Sequence, residues 1–249
     1  MDPSLILVAI IGFVAQLIDG SLGMAYGVSA NSFLLTLGYS PALASASVHA
    51  SEVFTSLISG LSHWKFGNVN KKMLLSLLIP GVIGGALGAY VLTSLDGDVI
   101  KPYISIYLLL MGIRIIIKAF QPLPEKEKEP KSGLLIALGL VGGSCDAIGG
   151  GGWGPVVTST LISTGHSPSK TIGSVNFAEF FVTLAESIVF ILTLGLTNYK
   201  VVLALLIGGL IAAPIGAALT KRLPIKVIMF FVGLLIVFLQ IRTLYLLWA

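Results

Sequence analysis

The sequence predicts an all-α polytopic membrane protein built from two inverted repeats. Each repeat is a pair of short half-helices meeting at a Gly-rich break, followed by three transmembrane helices. Three observations carry this expectation. Of 249 residues, 55% are hydrophobic and 10% are charged, where a soluble domain carries about 25% charged residues. The mean hydropathy is +0.98, and the apolar runs are long enough to cross about 30 Å of hydrocarbon. Finally, an offset of 127 residues relates Asp19 to Asp146, Glu52 to Glu179, Gly38 to Gly165, Pro41 to Pro168 and Tyr26 to Trp153.

The first apolar segment runs from about Leu5 to Leu37 and is interrupted at Asp19-Gly-Ser-Leu-Gly23. Its pieces are read as two short helices, because the whole is too long for one straight crossing and each piece of about 14 residues spans only about 21 Å. Pro41–Trp64, Met73–Leu95 and Val99–Phe120 follow as full spans. The stretch 121–131 is charged and Pro-rich and divides the chain into repeat one (1–120) and repeat two (132–249). In repeat two the interrupted segment is Gly133–Thr164, broken over Asp146–Gly154. The spans Pro168–Leu196, Tyr199–Leu219 and Ile225–Trp248 complete it.

Charge placement sets the expected orientation. Lys65, Lys71 and Lys72, the linker lysines, and Lys221, Arg222 and Lys226 mark three basic connections. The positive-inside rule puts all three in the cytoplasm. That holds only if the two halves enter the membrane in opposite senses and each interrupted segment returns to its side of entry, an inverted-repeat transporter pattern.

The breaks are the first candidate site. Gly149 to Gly152 are four consecutive glycines, and non-helical backbone at membrane depth must be buried in protein or line a cavity. Helices restarting at Tyr26 and Trp153 would aim free N–H groups at that position, which favours an anion. Gly23, Gly150, Gly151 and Gly152 would bring backbone to the ligand, Ser21 would donate to it, and Tyr26 and Trp153 would wall it. The alternative is that the glycines only permit a tight hairpin. Asp19 and Asp146 end the first half-helix of each pair. They are expected to cap freed N–H groups of the break, with proton coupling as the sharper alternative.

A polar stripe on the next helix is the second. Ser40-Pro41 and Ser167-Pro168 read as N-cap and N1 pairs. Ser45, His49, Glu52 and Ser56 then fall on one face, with Ile172, Asn176, Glu179 and Thr183 as counterparts. Carboxylates cost roughly 2.5–3.5 kcal/mol each on insertion scales, so the stripe must face the bundle. Glu52 and Glu179 are proton-coupling candidates, and His49 and Asn176 are candidate substrate contacts. The competing reading is interhelical hydrogen bonding. Glu186 has Ser59 as its counterpart and lacks the symmetry argument. His63, beside Trp64 at a helix end, reads as an interfacial anchor.

Other classes fall away. A single cysteine, Cys145, excludes an intramolecular disulfide and a Cys-based metal cluster. Three scattered histidines make no metal site in the sequence. No cofactor motif, catalytic dyad or basic patch suited to nucleic acid is present, so neither an enzyme nor a nucleic-acid partner is expected. The lipid bilayer is the expected surrounding. Gly81-x-x-x-Gly85 and Gly84-x-x-x-Gly88 indicate close helix contact, either within the chain or across a homodimer.

Several stretches carry a family resemblance. Asp19-Gly-Ser-Leu-Gly-Met-Ala-Tyr-Gly27, Ala44 to Phe54, Gly60 to Val69, Gly149-Gly-Gly-Gly-Trp-Gly-Pro155 and Gly173-Ser-Val-Asn-Phe-Ala-Glu-Phe-Phe181 resemble the sulfite exporter TauE/SafE family over nearly the whole chain. The resemblance implies a multi-pass inner (plasma) membrane transporter for small sulfur-containing anions, sulfite or organosulfonates, working outward. The family offers no settled set of site residues to carry over. A secondary transporter with alternating access, coupled to protons, is the reading that follows. A passive anion channel is its alternative.

Overall fold

The computed structural model describes residues 3–121, 131–195, 198–220 and 225–248. Most of the linker (122–130) and the basic residues Lys221 and Arg222 lie outside the described residues. Among the described residues all regular structure is helical. In chain order the elements are α1 (Pro3–Leu22), α2 (Tyr26–Thr36), α3 (Pro41–Lys65), α4 (Lys71–Thr93), α5 (Gly97–Phe120) and α6 (Ser132–Gly149). A π-helical turn (Trp153–Thr158) then runs into α7 (Ser159–Ser163). It is followed by α8 (Pro168–Leu194), α9 (Tyr199–Leu219) and α10 (Ile225–Trp248).

Seven of these, α1, α4, α5, α6, α8, α9 and α10, are long and apolar enough to cross a membrane. At 25 residues α3 matches them in length; its stripe of Ser, His and Glu lowers its hydropathy. The outward faces fit a lipid solvent. On α4, Leu75, Ile79, Ile83 and Leu87 are exposed, while Gly81, Gly84, Gly85 and Gly88 are buried. Leucine outside and glycine inside reverses the soluble pattern. It follows where helix association rests on close backbone approach rather than on expelling water.

One expectation about the interrupted segments is corrected. They are not two short pieces. α1 has 20 residues and α6 has 18, each enough for a crossing, and only the second piece is short. α2 has 11 residues, about 17 Å of helix. Gly20 and Ser21 stay helical, and α1 ends only at Gly23, where φ is +66°. Gly150 has the same φ of +66° at the equivalent place in repeat two. Glycine takes this left-handed corner without the steric cost a Cβ would bring.

Packing partners exchange between the halves. α1 lies along α9, and its counterpart α6 lies along α4; α3 packs on α8, and α5 on α10. The glycine spacings serve these internal contacts. Gly84 sits over the Leu140 carbonyl, and an ideal Cβ on Gly88 would lie 2.7 Å from the Ser144 carbonyl oxygen. The contact left open by the sequence is therefore made within one chain. Ser40 and Ser167 occupy the expected N-cap positions before Pro41 and Pro168, but neither hydroxyl bonds the first turn.

His63 is also a correction. It is fully buried, with Nε2 2.9 Å from the Gly20 carbonyl and Nδ1 3.2 Å from the Asn68 amide. A carbonyl in the last turn of α1 has no partner within its own helix, and His63 donates to it. The neighbour Trp64 is exposed, with Lys71 Nζ 5.4 Å from its ring centroid.

Candidate functional site

The two breaks cross in direct backbone contact. An ideal Cβ on Gly27 would lie 2.6 Å from the Gly150 carbonyl oxygen and 2.8 Å from Gly151 Cα. One on Gly154 would lie 2.6 Å from Met24 Cβ and 2.8 Å from the Gly23 carbonyl oxygen. These are the same contact seen from each half, since the offset of 127 turns 27 into 154 and 23–24 into 150–151. What lies beside the glycine run is the other break.

Asp146 holds its break together as expected of a cap. Its Oδ1 accepts from the backbone N–H of Gly152 at 2.7 Å and of Trp153 at 2.9 Å. Asp19 lies against the backbone N–H of Tyr26, the equivalent of Trp153. Both aspartates are buried. On the far side, Asn31 of α2 donates to the Gly149 carbonyl at 2.6 Å, satisfying the end of α6.

The other proposed contacts at the breaks are already paired with protein. Ser21 Oγ donates back to the Leu17 and Ile18 carbonyls at 2.8 and 2.9 Å. Tyr26 shares a 2.7 Å hydrogen bond with Ser51, and Trp153 Nε1 donates to the Val175 carbonyl at 3.1 Å. Asn176 donates to the Ile172 carbonyl at 3.1 Å and accepts from Ser59 at 2.8 Å. In this conformation the breaks meet each other in direct contact.

The stripe on α3 leads to a buried polar cluster. Ser45, His49, Glu52 and Ser56 are all buried, as are Ile172, Asn176, Glu179 and Thr183 on α8. His49 Nδ1 lies 2.7 Å from the Ser45 carbonyl, which can only accept, so Nδ1 carries a hydrogen. Nε2 then faces three carboxylates: Glu186 at 3.0 Å, Asp146 Oδ2 at 3.5 Å and Glu52 at 3.9 Å. Nε2, Asp146 Oδ2, Glu52 Oε2 and both Glu186 oxygens are buried and make no hydrogen bond. Ligand atoms of His49, Asp146 and Glu186 lie within 4.8 Å of one another, a spacing a metal ion spans. His49 Nε2 and Glu186 Oε2 stand 3.0 Å apart without the alignment of a hydrogen bond.

The repeat pattern does not mark Glu186, because its counterpart is Ser59. Its signal is spatial: it follows Glu179 by seven residues, two turns along the same face of α8. Arg114 is the second residue of this kind. It sits inside the apolar span α5 and donates to Ser159 at 3.3 Å and Thr160 at 2.9 Å. With Lys118 it lines a recess of about 430 Å³. Two turns back on α5, Tyr107 lines a cavity of about 170 Å³ with Cys145 and Gly149, and its hydroxyl donates to the Gly151 carbonyl at 3.4 Å. One face of α5 thus runs from a cationic recess to the second break.

A helical bundle with lipid-compatible faces, broken helices at its centre and a buried acidic cluster defines a polytopic membrane protein of the transporter class. The model of the sulfite exporter TauE/SafE family matches residues 8–243, and the chain belongs to that family. It is 47% identical over 247 residues to the probable membrane transporter protein YtnM of Bacillus subtilis (strain 168), covering 96% of this chain and 82% of the relative. A probable membrane transporter protein of Haemophilus influenzae is 28% identical over 87% of this chain and 86% of its own length. YunE of Bacillus subtilis, of the same description, is 21% identical over 97% and 98%.

Proposed function

We propose that this protein is a secondary transporter that exports a small sulfur-containing oxyanion, sulfite or an organosulfonate, across the plasma membrane. Its two halves are inverted repeats that alternate between inward- and outward-facing states. The observation that carries the reading is the crossing of two glycine breaks, each governed by a buried aspartate. Separation of the breaks uncovers the helix-start backbone at Gly27 and Gly154, whose N–H groups the two aspartates do not hold, and such groups bind oxyanions without a cation. Ser21, Gly23, Tyr26, His49, Gly150, Gly151, Gly152, Trp153 and Asn176 then surround the anion. Asp19, Glu52, Asp146 and Glu179 are the acids through which proton movement is coupled to it.

The face of α5 offers the approach. Arg114 and Lys118 raise the local anion concentration at the recess, and the face ends at Tyr107 beside Gly151. Arg114→Gln is expected to raise the concentration for half-maximal sulfite flux by roughly 5–10-fold, equivalent to about 1–1.4 kcal/mol. Arg114→Lys should recover most of this loss. Equal half-saturation in wild type and Arg114→Gln would remove α5 from the path.

The experiment for the function itself is flux in proteoliposomes with sulfite, thiosulfate, sulfoacetate and sulfate, with and without a pH gradient. A carrier gives saturation and counterflow for one or more sulfur anions. Flux that follows voltage without saturation or counterflow would assign a passive anion channel instead. Glu52→Gln and Glu179→Gln measured beside wild type report whether either glutamate carries the pH dependence.

A further inference from the structure

Three side chains from three helices leave their acceptors aimed at one point. His49 of α3, Asp146 of α6 and Glu186 of α8 place ligand atoms within 4.8 Å of one another. His49 and Glu186 are 0% exposed and Asp146 is 3% exposed, so no bulk water reaches these atoms. His49 Nε2, Asp146 Oδ2 and both Glu186 oxygens make no hydrogen bond. Among the described residues, no lysine or arginine lies within 4.0 Å of the carboxylates. Buried acceptors without a donor are costly, and one cation would satisfy all three side chains at once.

The histidine is set up as a ligand. Its Nδ1 lies 2.7 Å from the Ser45 carbonyl and carries the ring hydrogen, which leaves a lone pair on Nε2. A metal-binding histidine almost always donates its other ring N–H in this way. The ligand atoms of a four-coordinate zinc ion, bound at about 2.0–2.2 Å, stand about 3.3–3.6 Å apart. Nε2 lies 3.0 Å from Glu186 Oε2 and 3.5 Å from Asp146 Oδ2, so the three groups are already close to that spacing. Glu52, at 3.9 Å, stands just beyond it.

The donor set selects the ion. Asp146 and Glu186 together neutralise a divalent ion and would leave a monovalent one with excess negative charge. Imidazole nitrogen beside carboxylate suits Zn²⁺ and its first-row neighbours, whereas Mg²⁺ and Ca²⁺ take oxygen ligands. No thiolate joins the set, since Cys145 lies against Tyr107 instead.

The other half of the molecule shows what the same place looks like without these groups. The offset of 127 turns His49, Asp146 and Glu186 into Asn176, Asp19 and Ser59. There Ser59 donates to Asn176 Oδ1 at 2.8 Å, and Asn176 donates to the Ile172 carbonyl at 3.1 Å. Serine and asparagine close that copy by hydrogen bonds, with one carboxylate and no imidazole. The chain therefore has this set once, not twice.

We propose that His49, Asp146 and Glu186 form a binding site for one divalent transition-metal ion, of the zinc class, per chain. The ion ties α3 of repeat one to α6 and α8 of repeat two. Asp146 joins it to the second break, because Oδ2 faces the ion while Oδ1 holds the N–H groups of Gly152 and Trp153. The site is independent of which anion the protein carries.

The test is zinc binding by the purified, detergent-solubilised full chain, freed of any affinity tag and treated with chelator. Equilibrium dialysis against zinc and a competing chelator should give one Zn²⁺ per chain. Glu186→Gln and His49→Gln should each weaken binding by more than the roughly 10–100-fold that loss of a supporting group costs. The double variant His49→Asn with Glu186→Ser gives the site the side chains of its hydrogen-bonded copy and should bind no zinc. His166→Gln is the control and should bind as wild type does. His166 is also buried with an unpartnered Nε2, but no carboxylate among the described residues lies within 4.0 Å of it. Wild type without stoichiometric zinc, or variants at His49 and Glu186 that keep wild-type affinity, would overturn the site. A second measurement needs no variant. X-ray absorption at the zinc edge of loaded wild type should show nitrogen and oxygen ligands at about 2.0–2.2 Å with imidazole scattering, and a sulfur ligand at about 2.3 Å would move the ion to Cys145 and refute the assignment.

Discussion

Asp146→Ala is expected to abolish anion flux and to destabilise the fold by roughly 2–6 kcal/mol, because two buried backbone donors lose their acceptor at about 1–3 kcal/mol each. Those donors are the N–H groups of Gly152 and Trp153, at 2.7 and 2.9 Å from Oδ1. Asp146→Asn separates the two jobs of the side chain. Its amide oxygen still caps the break, and it no longer presents an anion to His49. The asparagine variant should therefore melt near the wild type in detergent yet fail in gradient-driven flux. Asp19→Ala should be milder in stability, since Asp19 lies against one N–H, that of Tyr26, and has no histidine within 4.0 Å. Thermal unfolding followed by size-exclusion recovery ranks the three. An alanine variant as stable as wild type, or an asparagine variant as unstable as alanine, would contradict the capping geometry.

The asymmetry between the aspartates also explains which features could be read from residues alone. The spans were legible because apolar runs in a bilayer must be helical and long: α9 and α10 begin and end at the residues the apolar pattern marks. The capping role of Asp146 was legible because an acid just before a glycine run has few other uses. The extent of α1 was not. A glycine inside a helix costs only about 1 kcal/mol, so Gly20 reads as a break although the chain turns at Gly23. His63 was not legible either, since a histidine at a helix end is written identically whether it meets water or the Gly20 carbonyl. Glu186 was missed for a different reason. Matching repeats residue by residue pairs Glu186 with Ser59 and finds no partner acid. What the offset of 127 preserves is a contact between α3 and α8, and only the fold pairs Glu186 with His49 and Ser59 with Asn176.

The crossing of the breaks yields the second large effect. Gly27→Val and Gly154→Val are each expected to prevent the breaks from meeting, with loss of properly folded protein. A Cβ on Gly27 meets the Gly150 carbonyl oxygen at 2.6 Å and Gly151 Cα at 2.8 Å, and one on Gly154 meets Met24 Cβ at 2.6 Å. Most of the obstructing atoms are backbone, so no rotamer change makes room. Overpacking of this kind costs about 1–3 kcal/mol for a methyl group, and the branched side chain adds to it. Gly133→Ala is the control, because nothing lies within 4 Å of its ideal Cβ and alanine favours the helix by about 1 kcal/mol. Alanine at Gly27 or Gly154 is the informative intermediate. If the breaks separate during transport, the added methyl group disfavours the crossed state more than the open one. Alanine should then lower stability while shifting the protein toward the state that exposes the breaks, measurable as faster alkylation of a cysteine placed at Ser21 in the sole-cysteine background Cys145→Ala. Reduced stability with unchanged alkylation would make the crossing a rigid joint, and the moving contact would have to be sought elsewhere in the bundle.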